Sequence, residues 1–218
     1  MIASKDQSHV TGTVSTQREI LMSKKALNKK NLTALGAEAL AELLLEISRG
    51  NAAQQRRLRM ELSANAGATD VAREIRKRFA TLRRSTAFIS WRQQSAFARE
   101  LADLVGLIQM RVAPDDPSEA FELLWAFLQL APSIYERCDE SNGTIGGVMS
   151  DVMEVISDIA PQLNADGTTL ADRVFEALQD NGYGEFDGAI PALAEAFGYM
   201  GLAHLKTLAQ AAAATPVR

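Results

Sequence analysis

The stretch DNGYGEFDG, Asp180 to Gly188, gathers three acids, an asparagine and three glycines within nine residues. Oxygen donors at such density raise the chemistry of cation binding. An EF-hand loop needs oxygen ligands at its positions 1, 3 and 5, glycine at 6 and a bidentate glutamate at 12. Counted from Asp180, Gly182 and Gly184 fill two ligand positions, Glu185 stands where glycine belongs and Pro191 where glutamate belongs. Counted from Asn164, Asp166 and Thr168 fit, but Thr169 and Phe175 fail the two remaining tests. A helix–helix connector accounts for the same residues. Asn181–Gly182 in the left-handed conformation would close one helix, and Asp187 would cap the next, whose early turn tolerates Pro191. Tyr183 and Phe186 would pack the loop back on the helices. Tyr183, Glu185 and Phe186 are the candidates for a partner-facing loop.

Nucleophilic chemistry finds little to work with. His9 lies in a polar leader and His204 stands alone on a late helical stretch. Cys138 follows Arg137, but Asp139 and Glu140 beside it would raise a thiol pKa. No Cys/His group has metal-ligand spacing. The glycines of SNGTIGGVM could offer backbone N–H groups to an anion, yet the stretch lacks the GK[ST] ending of a phosphate loop. Close helix packing is the expected role of Gly146 and Gly147. No catalytic residue, cofactor or metal is therefore expected, although a carboxylate or metal site assembled from distant helices stays open.

The strongest chemical feature is charge. Residues 49–99 hold 12 Lys/Arg against 3 Asp/Glu, and residues 100–218 hold 5 against 19. Arg56, Arg57, Arg73, Arg76, Lys77, Arg83, Arg84 and Arg92 are candidate anion or nucleic-acid contacts, with salt-sensitive binding as their signature. No recognition-helix or RNA-binding motif accompanies them. The alternative is internal: a basic segment folding against the acidic one.

The elements that must position these residues read as helices almost throughout. Leu40, Leu43, Leu44 and Ile47 fall on one helical face, as do Val71, Ile75, Phe79 and Leu82. A longer helix is predicted from about Trp91 to Val112, with Phe97, Leu101, Leu104, Val105, Ile108 and Val112 inward. VAPDDP stops it, and Pro117 suits the first turn of the next helix. Ile145, Val148, Met149, Val152, Ile156 and Ile159 form another stripe. Thr169 and Asp172 suggest a capping box. AIPALAEAF and LAHLKTLAQAAAA are predicted as the last two helices, separated by Gly198 and Gly201. No period-2 alternation predicts a strand. The fold class is all-α: stacked antiparallel hairpins without a sheet. Phe121–Leu130 pairs with Ile145–Ile159, and Leu170–Leu178 with Ile190–Phe197, in a repeat-like array.

The expected organisation is a disordered leader over 1–21, a helical region with a basic face over 22–113, a hairpin region over 114–213 and a tail over 214–218. Met22, where the patterned sequence begins, is the expected start of translation. The most apolar run, FELLWAFLQLAP, is too short and too polar to cross a bilayer. With a single cysteine among 218 residues and no secretory signal, the expectation is a cytoplasmic protein without a membrane partner.

The phrases MSKKALNKKNLTALGAEALAELLLEISRG, RRLRMELSA, ELLWAFLQLAPSIYER and VFEALQDNGYGEFDGAIPALAEAFG resemble a bacterial, often proteobacterial, all-helical family of unknown function. The resemblance covers about Met22 to Lys206. It implies helical hairpins, continued in longer members as tetratricopeptide-like repeats, and implies no activity, catalytic residue or cofactor. The favoured expectation is a protein–protein interaction or scaffold module. The alternative is a nucleic-acid-associated module using residues 49–99.

Overall fold

A computed structural model of the chain describes residues 26–64, 67–138 and 143–214. The expected leader, His9, Asp139 and Glu140 lie outside the described residues. The chain divides into two compact units, Met1–Gln55 and Arg56–Arg218. Among the described residues the fold is all-α, and the one extended pairing is an isolated bridge between Ile89 and Cys138.

In the first unit, α1 (Lys29–Thr33) begins at Asn28, whose side-chain oxygen accepts from the Asn31 backbone N–H at 2.9 Å. Gly36, at φ 86°, turns the chain into α2 (Ala37–Ser48). The apolar stripe expected to be core is largely uncovered. Leu43, Leu44 and Ile47 are 38%, 42% and 57% exposed, and Ser48 is the buried residue of this helix. The next helix, α3 (Ala52–Ala64), begins at Asn51, which accepts from the Gln54 N–H as an N-cap, and belongs to the second unit from Arg56 onward.

In the second unit, α4 (Ala68–Arg84) buries Val71, Ile75, Phe79 and Leu82 as its spacing requires. It packs on α6 (Pro117–Leu128), and Phe79 meets Phe127 edge-to-face at 5.8 Å. The predicted Trp91–Val112 helix is α5 (Trp91–Leu107) running into a π-helical turn, Ile108–Val112, closed by the Ala113 N–H on the Ile108 carbonyl. The wider turn keeps both Ile108 and Val112 fully buried. Asp116 caps α6 by accepting from Glu119 N–H at 2.9 Å, and Pro117 takes its first position.

The short α7 (Ala131–Tyr135) leads to α8 (Thr144–Ile159), which buries its entire predicted stripe against α5 and α6. After a 3-10 turn, Ala160–Gln162, come α9 (Gly167–Gln179), α10 (Ala189–Ala192) and α11 (Ala194–Ala214). One hydrophobic core runs from Met60 to Leu205 through this unit. The expected partition at residue 113 falls inside that core.

Four local expectations need correction. Asp166, rather than Thr169 with Asp172, caps α9, its carboxylate accepting from Thr169 N–H at 2.8 Å. The partner of α9 is principally α11, while α10 packs on α8. The helical run breaks at Gly198, at φ 57°, but Gly201 is a contact and not a separator. A Cβ on Gly201 would lie 2.5 Å from the Gly167 carbonyl oxygen, and one on Gly167 would lie 2.1 Å from that of Phe197. Backbone therefore meets backbone where α9 and α11 meet. Gly147, expected to serve close packing, would have nothing within 4 Å of an added Cβ.

Candidate functional site

The basic segment resolves into two parts. Glu100 on α5 accepts from Arg56 at 3.0 Å and from Arg78 at 2.7 Å. Arg57 reaches Asp103 at 2.6 Å. Arg76 forks onto both oxygens of Glu119 on α6, and that hydrogen bonding raises the pKa of its guanidinium. Arg73 and Lys77 pair along their own helix with Asp70 and Glu74. Acids from the acidic half thus neutralise Arg56, Arg57, Arg76 and Arg78. Arg83, Arg84 and Arg92 have no acidic partner among the described residues, and Arg92 lies over the ring of Trp91 at 5.2 Å. Trp91 and Phe88 nearby are 68% and 66% exposed.

Arg137 is a different case. Its Nε donates to the Ser133 carbonyl at 2.9 Å and its Nη1 to that of Ala87 at 3.2 Å. Nη2 has no hydrogen-bond partner among the described residues, and burial, with Arg78 nearby, pushes the guanidinium pKa down. The group ties the loop before α5 to the end of α7. Cys138 beside it is half-buried.

The DNGYGEFDG connector is held by its asparagine. Asn181 Oδ1 accepts from Phe186 N–H at 2.9 Å, and its Nδ2 donates to Asp187 Oδ1 at 2.8 Å. Asp187 is therefore spent on the loop, and Gly188 precedes α10 in its place. The left-handed residues are Gly184 and Gly188, at φ 73° and 87°, and not the Asn181–Gly182 pair. Phe186 turns inward, 3% exposed, with its ring 4.7 Å from Trp125. Glu185 is buried as well, which leaves Tyr183, 5.1 Å from Tyr135 and half exposed, as the outward member of the expected partner-facing trio.

Two clefts flank Arg173 on α9. Its guanidinium forks onto Glu122 at 2.5 and 2.9 Å and lies over the rings of Phe121 and Trp125 at 5.2 and 5.0 Å. On one side, a cavity of about 490 Å³ is lined by Glu119, Glu122, Asn164 and Asp166 among others. Asp166 there accepts three hydrogen bonds, first of all from the Thr168 hydroxyl, and its pKa falls to about 2. On the other side, a cavity of about 650 Å³ is walled by Arg83, Trp125, Glu176, Asp180, Glu185 and Phe186, with Gln129, Pro132, Arg173 and Ala177.

His204, which has no chemical partner near it in sequence, meets Asp172 across α9 and α11 at 2.7 Å. No local signal links residues on separate helices in this way. Among the described residues, no group of three or more His, Cys, Asp or Glu side chains is placed to hold a metal ion. No helix among them is long and apolar enough to cross a membrane.

The described residues define an all-α protein whose basic face is laced to its acidic helices and whose clefts are walled by aromatic and carboxylate side chains. The chain belongs to a family of unknown function, DUF6880, whose model matches residues 22–218. No curated protein and no solved structure matches the chain.

Proposed function

We propose that the protein is an interaction or scaffold module that works by presenting surfaces to a protein partner. The observation that carries this reading is the apolar stripe of α2. An amphipathic helix forms to bury its apolar face, yet Leu43, Leu44, Leu45 and Ile47 are all between 38% and 67% exposed. Clustered exposure of this kind marks an interaction site more often than scattered surface leucines do. The absence of a nucleophile–base pair from the sequence pattern fits the same reading. Within it, the hairpins act as a repeat-like stack of the kind that longer, tetratricopeptide-containing bacterial relatives would extend. A lone cysteine suits work in a reducing cytoplasm. The test is copurification from cells at native expression levels. The expected result is a stoichiometric protein partner that is lost on Ile47→Asp, with helicity unchanged. A chain that stays alone under gentle lysis contradicts the reading.

A second reading has its own support. Arg84 and Arg92, without an acidic partner among the described residues and close in sequence to the exposed Phe88 and Trp91, offer charge and stacking faces to a single-stranded nucleic acid. Arg84→Ala and Arg92→Ala should then weaken low-salt binding of an oligonucleotide more than Arg76→Ala does. No binding at low salt retires this alternative.

A further inference from the structure

The 650 Å³ cleft combines features that no motif in the sequence announced. Its floor is the tilted pair Trp125 and Phe186, 1% and 3% exposed, with Pro132 and Ala177 on the wall. Three of its wall residues, Glu176, Asp180 and Glu185, make no ion pair among the described residues. Glu185 is the telling one. It is 6% exposed, and its Oε2 accepts from the Tyr183 N–H at 3.2 Å, while no hydrogen bond reaches its Oε1 among the described residues. Although little of the residue is exposed, that oxygen is not sealed from water, so it is open to a donor that enters the cleft. The nearby guanidinium of Arg173 is already committed to Glu122.

We propose that this cleft receives one basic side chain, lysine or arginine, from a peptide segment of a partner protein, a proposal that rests on the interaction-module reading above. The carboxylates do not converge at metal-ligand spacing, so the cation they suit is larger than a metal ion. A volume of about 650 Å³ accommodates a long side chain with its flanking backbone. The half-buried Pro132 and Ala177 on the cleft wall suit the apolar stem, and the carboxylates suit the guanidinium or ammonium head. Arg83, exposed and without an ion pair among the described residues, stands on the α4 wall and opposes a second cation. The preferred segment therefore carries a single basic residue and not a polybasic run.

The experiment titrates acetylated nine-residue Gly/Ser peptides, centred on Lys, Arg, Gln or Glu, into the full chain carrying Trp91→Phe. Trp125 is then the remaining tryptophan of the two in the sequence, so its fluorescence reports on the cleft. The Lys or Arg peptide should give a saturable change at concentrations at least tenfold below those at which the Gln and Glu peptides act. Glu185→Gln and Asp180→Asn should each weaken it several-fold, and Glu154→Gln on the exposed side of α8 should leave it unchanged. Asp180→Asn, at a helix end, keeps the test valid should Glu185→Gln disturb folding. Equal responses to Lys, Arg and Gln peptides, or no saturable response, overturn the proposal. If the peptides fail while the native partner still copurifies, the cleft assignment falls and the interaction module stands; if the chain also stays alone, both fall.

Discussion

Helices α2 and α4 carry the same kind of apolar periodicity and meet opposite fates. On α4, Val71, Ile75, Phe79 and Leu82 are between 0% and 4% exposed. On α2, Leu43, Leu44 and Ile47 retain 38% to 57% of their surface. The spacing of apolar residues states that a helix has a face to cover; what covers it lies elsewhere in the fold, or on another molecule. For α4 the cover is α6 and the π turn. For α2, the proposed function places it on a partner.

The contrast can be broken first in the core. Phe127→Ala should destabilise the chain by about 3–5 kcal/mol in urea unfolding, whereas Leu44→Ala should cost about 0.5 kcal/mol or less, as for exposed positions. Equal losses would mean that α2 is as deeply packed as α6. A second pair of variants asks where backbone contact, and not side-chain burial, fixes the helices. Gly201→Ala forces a methyl group to within 2.5 Å of the Gly167 carbonyl and should cost ~3 kcal/mol, at the upper end of ordinary overpacking. Gly147→Ala, in open space on α8, should be neutral or stabilise by about 0.5–1 kcal/mol through helix propensity.

Charge gives smaller effects. Arg76 is about half exposed in its pair with Glu119, so Arg76→Gln should cost under about 1 kcal/mol, shrinking further in high salt. The smallest is a pH effect at Asp166. Its folded pKa, about 2, lies below the ordinary 3.8. The carboxylate thus stabilises the fold above the ordinary value, and that contribution is lost as pH falls through about 2. Asp166→Ala should lower Tm at pH 6, and the gap from the parent chain should close between pH 4 and pH 2. A gap independent of pH would assign the cap to something other than its charge.

The stripes of α4, α5 and α8 were legible because burial in a helix follows a period that the sequence displays directly. Pro117 was legible for a similar reason, since the first turn of a helix is set locally. The matching of Arg56, Arg57, Arg76 and Arg78 by Glu100, Asp103 and Glu119 could be read only as a tendency, from the opposed charges of two segments. The partners themselves depend on which helices meet. Gly167 and Gly201 were opaque: a glycine that ends a helix and one that lets two backbones touch look alike in sequence. The cleft was equally hidden, because Trp125 and Glu185 come together only when the connector folds back through Asn181. Phe186 as a packing residue could be anticipated from its type; burial of Glu185 beside it could not.

Hydrogen exchange on the isolated chain tests the central claim most directly. If α2 waits for external cover, amides of residues 37–48 should exchange orders of magnitude faster than those of 117–128, and slow down when the partner is added. Protection of 37–48 equal to that of 117–128 in the chain alone would contradict the account.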